Sequence, residues 1–151
     1  MNKFNWVIYQ TLAIGTSPKN NVDLINLKKN GIKSVFCLCN EIECPKLNYE
    51  DYGIYFKRLV LPDHKSKSLL SIELLENAFK NLKKLIQTNS PVFIHCYAAV
   101  ERSPLLCLTY LIKEKDMHFD DALAYMMQVH KSTNPMNSQL KILKEFCLAS
   151  Y

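Results

Sequence analysis

Glycine is scarce, three in 151 residues, and no stretch is rich enough in glycine, proline or serine to form a linker or a fibre. The longest apolar run, Pro104 to Ile112, falls far short of the roughly 20 residues that a membrane span needs. No repeat recurs at a fixed period, which excludes a solenoid or a propeller. Arginine is scarcer than glycine: two, Arg58 and Arg102, stand against 17 lysines, so an arginine inside a motif carries weight. The first residues turn polar again at Gln10 and Thr11 without the long apolar segment of a secretory signal. The expectation is a soluble, cytoplasmic protein whose six cysteines stay free thiols.

Against these absences stands a chain with 48% hydrophobic and 22% charged residues, enough for one core and too short for two ordinary domains. A single domain over 1–151 is expected. The net charge of +5 is a modest bias toward anionic partners, below that of a dedicated nucleic-acid binder, so no nucleic acid is expected.

Short strands are predicted at Trp6 to Tyr9 and Leu12 to Ile14, then a helix from about Asn21 that ends at Asn30-Gly31. Ile32 to Leu38 reads as a buried strand, 40–52 as a loop with one helical turn, and Ile54 to Leu61 as a strand stopped by Pro62. From Ser71 the apolar period becomes 3.6, with Leu75, Ala78, Phe79, Leu82, Leu85 and Ile86 on one face. Val92 to His95 reads as a central strand. Helices follow at about Ser103 to Lys113, Phe119 to His130 and Asn137 to Leu148, the first apolar nearly all round and so the most buried. The pattern predicts an α/β fold with a mainly parallel central sheet of about five strands flanked by helices.

The chemistry gathers where the last strand meets the most buried helix, at His95-Cys96-Tyr97-Ala98-Ala99-Val100-Glu101-Arg102-Ser103. A short loop between a parallel strand and a helix directs several backbone N–H groups and the positive end of the helix dipole at one small space, which suits a tetrahedral oxyanion. A cysteine at the floor of such a bowl is favoured as the nucleophilic thiolate. An arginine closing the loop grips two phosphate oxygens at once, which lysine cannot do.

This segment resembles the signature loop of cysteine-dependent protein tyrosine phosphatases, and the whole chain is similar to their dual-specificity branch. The counterparts include the Ile14-Gly15 strand, the Leu24 to Gly31 helix with the Ile32 to Leu38 strand, Asp63 after a strand, and the Asn134-Pro135 turn. The resemblance implies a phosphatase-like three-layer sandwich that hydrolyses phosphomonoesters through a cysteinyl-phosphate. Cys96 is then the nucleophile, Arg102 and the amides of Tyr97, Ala98, Ala99, Val100 and Glu101 hold the phosphoryl oxygens, and Asp63 is the general acid. Ser103 matches the hydroxyl that stabilises the departing thiolate, and His95 the residue that orders the loop from behind. Phosphorylated protein is the implied substrate, with inorganic phosphate, sulfate or vanadate as loop ligands, and neither metal nor cofactor is required. A phosphate-binding module without turnover, and cysteine-loop phosphatases acting on RNA 5′-phosphate or lipid phosphate, are the alternatives.

Several assignments stay open at this point. Asp63 also reads as a polar turn residue, with Asp51 as a weaker acid; Ser103 also as an N-cap; His95 also as a core histidine; and Tyr97 also as core. His64, Lys65 and Lys67 flank the acid as a solvated loop or face an anionic substrate, and Asn137 or Gln139 is expected to reach toward the loop. Cys37 and Cys39, with Cys44, have a metal-like look, but a buried strand explains the pair. Cys107 is expected in the core. Ala99 stands where the signature usually has glycine, so a positive φ there would be strained. Glu101 is expected to point outward and to fix the arginine or the neighbouring loop.

Overall fold

The computed structural model describes residues 2–148. Its sheet is built from β1 (Phe4–Ile8), β2 (Leu12–Gly15), β3 (Ser34–Cys37), β4 (Tyr55–Arg58) and β5 (Val92–His95), in the order β1-β2-β5-β3-β4. Only β1 runs antiparallel, joined to β2 by a tight turn, and β5 is central. Its apolar run Val92-Phe93-Ile94 is fully buried, as a strand covered on both faces must be.

Helix α1 (Asn21–Lys29) packs Leu24 and Leu27 on one face of the sheet with Tyr49 from a 3-10 turn (Tyr49–Tyr52). Helices α2 (Ile72–Asn89), α3 (Arg102–Lys115), α4 (Phe119–Val129) and α5 (Asn137–Leu148) bear on the other face, giving a three-layer α/β sandwich. The six apolar residues predicted for the inner face of α2 are all buried there, and Ser71 caps its start by accepting from the Leu74 amide. Asn20 caps α1 in the same way at Asp23, and Gly31, at φ +80°, carries the chain out of that helix. No helix among the described residues is long and apolar enough to cross a membrane.

The register sets the site. Gly15, His95, Cys37 and Arg58 lie side by side across β2, β5, β3 and β4, so every parallel strand ends along one edge. A Cβ on Gly15 would stand 1.8 Å from the Lys3 carbonyl oxygen, so only glycine lets β1 lie against β2 at this edge. Strands β3 and β4 are shorter at both ends than the apolar runs predicted, although Leu38 still donates to the His95 carbonyl and Leu59 to the Cys37 carbonyl as the chain passes into the loops at that edge. Open parallel sheets bind ligands outside the carboxyl ends of their strands.

Candidate active site

Six residues, Cys96 to Glu101, separate the end of β5 from the start of α3, and this turn wraps a cleft of about 440 Å³. Cys96, Tyr97, Ala98, Val100, Glu101 and Arg102 line it from the loop; Glu43, Asp63, His64 and Lys65 line it from the loops after β3 and β4. Cys96 is 2% exposed and forms the floor. Its Sγ lies 3.2 Å from the Ser103 hydroxyl. Ser103 is not an N-cap: α3 already begins at Arg102, and the buried hydroxyl is spent on the sulfur. His95, 1% exposed, directs Nδ1 at the Cys96 carbonyl at 2.9 Å and so holds the loop from behind, while its Nε2 is buried without a hydrogen-bond partner among the described residues.

Arg102 is gripped from one side. Glu43 receives Nη1 at 3.1 Å and Nη2 at 3.0 Å, and the carbonyls of Leu38 and Leu61 accept further bonds from Nη1 at 3.4 Å each. A guanidinium has five N–H donors, so a bidentate bond to Glu43 through its end leaves donors on the Nε/Nη2 edge that can grip two oxygens of an anion. Glu43 was missed in the sequence because its only signal is an acidic residue just past the end of β3, on the edge where the site forms.

Asp63 stands 4.0 Å from Arg102 Nη2 and accepts from the Lys65 amide at 2.9 Å and the Ser66 hydroxyl at 3.0 Å. Burial pushes its carboxyl up, but the bonds from Ser66 and Lys65 and the charges of Arg102 and His64 together hold it below the usual carboxylate value. Asp51, inside the 3-10 turn, is away from the cleft.

Glu101 does not bind the arginine. Its carboxylate meets His64 Nδ1 at 2.5 Å and accepts from the Gln139 amide at 3.1 Å, tying the acid loop and α5 to the cleft wall. Gln139 is therefore the polar residue that α5 brings to the site; Asn137, on the first turn of α5, is exposed and outside the cleft, because positions two apart on a helix face different ways. Tyr97 is 57% exposed at the rim and is not core. Lys65 lines the cleft and Lys67 does not.

Ala99 has φ +58°, the left-handed conformation that costs a residue with a Cβ about 1–2 kcal/mol. It is buried and takes no part in lining the cleft; its carbonyl accepts from His130 Nε2 at 2.7 Å and Ser132 Oγ at 3.1 Å. Asn5 Nδ2 donates to His130 Nδ1 at 2.9 Å, which fixes the tautomer that donates to Ala99. Burial, with Lys3 adding to it, holds His130 below its ordinary value despite the Ala99 carbonyl, so the ring stays neutral. Two residues that the sequence did not single out thus brace the strained turn. Replacing Ala99 by glycine relieves that strain at a smaller backbone-entropy cost, and is expected to raise the melting temperature by about 2 °C. A fall measured by calorimetry would show that the turn is not strained.

The profile of the dual specificity phosphatase catalytic domain matches residues 14–147 of this chain. Over 109 residues the chain is 29% identical to the protein-tyrosine-phosphatase MKP1 of Arabidopsis thaliana, covering 72% of this chain and 13% of that protein. Its fold superimposes on the active form of Tk-PTP with a TM-score of 0.82 at 18% identity, covering 96% of each chain. A human tyrosine phosphatase-like serine/threonine/tyrosine-interacting protein also gives 0.82 at 21% identity, over 97% of each chain. The chain spans between an eighth and a third of the length of the curated relatives it matches.

Proposed function

The chain belongs to the dual specificity phosphatase catalytic-domain family, and on that premise we propose that it hydrolyses phosphomonoesters, phosphotyrosine in proteins first and phosphoserine or phosphothreonine second. The observation that carries this reading is the convergence of Cys96, Arg102 and Asp63 on one cleft from two separate loops, with Ser103 set against the Cys96 sulfur. Cys96 Sγ attacks phosphorus as the ester P–O bond breaks, and Asp63 passes its proton to the leaving oxygen. The loop amides and the free edge of Arg102 take the charge on the equatorial oxygens. In the second step Asp63 removes a proton from water, the water oxygen attacks phosphorus, and the S–P bond breaks with the Ser103 hydroxyl donating to the departing sulfur.

Apart from Arg102, the signature loop itself has no basic residue to meet a second phosphate, and this favours a protein substrate over a polyphosphorylated lipid or an RNA 5′ end. Tyr97, exposed at the rim, offers a ring face to an aromatic substrate. The left-handed Ala99 supports a second reading, capture of phosphorylated partners without turnover. Hydrolysis of p-nitrophenyl phosphate in reducing buffer, with and without vanadate, separates the two. Vanadate-sensitive turnover is expected; phosphate binding with no turnover selects the capture module.

The acid role sets a pH dependence. A general acid acts while protonated, and Asp63 is held below the usual carboxylate value, so kcat/KM is expected to fall with rising pH on a limb governed by Asp63 in the free enzyme. In Asp63→Asn that limb is lost. Turnover of phenyl phosphate drops by about 10²-fold or more, while p-nitrophenyl phosphate, whose leaving group needs less help, drops less. Unchanged phenyl phosphate kinetics would remove Asp63 from the mechanism.

A further inference from the structure

Behind the catalytic loop, outside the lining of its cleft, three cysteines that the hydrolysis does not use gather round His95, the residue that holds the loop. Cys37 ends β3 beside His95 in register; Cys39 follows two residues on; and the loop from Asn40 brings Cys44 back. The three sulfurs and a ring nitrogen of His95 all lie within 4.8 Å of one another, and all four residues are buried. Every one of the six cysteines is a free thiol. From these residues we infer a tetrahedral Zn²⁺ site with Cys37, Cys39, Cys44 and His95 as its ligands, set directly behind the nucleophile.

Four observations carry it. Sulfurs bound 2.3 Å from a tetrahedral metal stand about 3.8 Å apart, so closing the group on an ion needs shifts of about 1 Å or less. His95, 99% buried, gives Nδ1 to the Cys96 carbonyl, and its other nitrogen, Nε2, is buried with no hydrogen-bond partner among the described residues. A ligating histidine ordinarily gives one ring nitrogen to a backbone carbonyl and the other to the metal, so the imidazole already has its outer bond. Arg58 sits 3.6 Å from the Cys37 sulfur and donates to the carbonyls of Cys39 at 2.6 Å and Cys44 at 2.8 Å. Three thiolates and one Zn²⁺ leave a charge of −1, and Arg58, one of the two arginines of the chain, meets it. Finally, three sulfurs and an imidazole are a structural zinc set, complete without water. Binding expels the remaining thiol protons to solvent.

Strand burial accounts for Cys37 and Cys39 taken alone, as expected from the sequence; it does not account for Cys44 and an unpartnered His95 closing the same group. The site also ties together two parts of the catalytic loop's frame, since Cys44 adjoins Glu43, the residue that grips Arg102, and His95 adjoins Cys96.

The test uses the whole chain, purified under reducing conditions and reconstituted with Zn²⁺, with elemental analysis after removal of loosely held metal. One Zn²⁺ per chain is expected, retained in full by Cys96→Ser, because the catalytic sulfur is not a ligand. Zinc affinity falls by at least about 100-fold in Cys44→Ala. Co²⁺ in place of Zn²⁺ gives thiolate-to-metal charge transfer and tetrahedral ligand-field bands in the parent protein, a readout that stands even where a cysteine variant fails to fold. Zinc lost with Cys96→Ser, zinc retained in Cys44→Ala, or a Co²⁺ spectrum without thiolate bands overturns the site.

Discussion

Replacing Cys96 by serine is expected to lower p-nitrophenyl phosphate turnover by about 10⁴-fold or more while leaving inorganic phosphate bound within about threefold of the parent protein. The two halves of that result have separate causes. Turnover needs an anionic nucleophile, and a hydroxyl gives up its proton far less readily than a thiol; the side chain hydrogen-bonded at this position is another hydroxyl, Ser103, at 3.2 Å, and not a base. Binding rests on the loop amides, the start of α3 and Arg102, none of which the substitution touches. Single-turnover assays and calorimetric titration with phosphate read the two independently. Loss of both together would mean that the serine has collapsed the loop, whereas retained turnover would mean that the sulfur is not the attacking atom.

The parts of this molecule that could be read in advance are those set by short-range pattern. The 3.6-residue stripe from Leu75 to Ile86, the apolar run at Val92 to Ile94 and the Asn30-Gly31 helix stop are local signals, and the elements form where they stand. Cys96, Arg102 and Ser103 fall within eight residues, so one motif holds them. Tertiary partners carried no such mark. Glu43 reaches Arg102 across 59 positions, His130 reaches Ala99 across 31, and Gln139 reaches Glu101 across 38. Each is a polar residue in a loop or on a helix flank, and only the register of β3 and β5 and the return of α5 decide that it meets the site. For the same reason Asn137 and Gln139 could not be separated: the side of α5 that faces the cleft depends on how it packs on α2 and α3.

Arg102→Lys is expected to lower kcat/KM by about 10³-fold and to weaken phosphate binding by about tenfold, although the charge is kept. The geometry explains why charge does not suffice. Arg102 is 5% exposed and serves two masters, with one fork on Glu43 at 3.0 and 3.1 Å and the remaining edge turned to the cleft. A lysine ammonium has three donors on one atom and cannot reach both sides; beside Glu43 it forms a compact ion pair and leaves the phosphoryl oxygens to the amides alone. A single ion pair in place of the bidentate one, and the loss of the donor to the Leu38 and Leu61 carbonyls, also cost some stability. Glu43→Gln separates the two roles of the arginine. The neutral amide still accepts from the guanidinium with one oxygen but no longer fixes both terminal nitrogens, and kcat/KM is expected to fall by only about tenfold. In Glu43→Gln/Arg102→Lys the losses should then be less than the product of the single effects, because the lysine has no carboxylate to be drawn to. Strict multiplication of the two losses would mean that Glu43 does not act through Arg102.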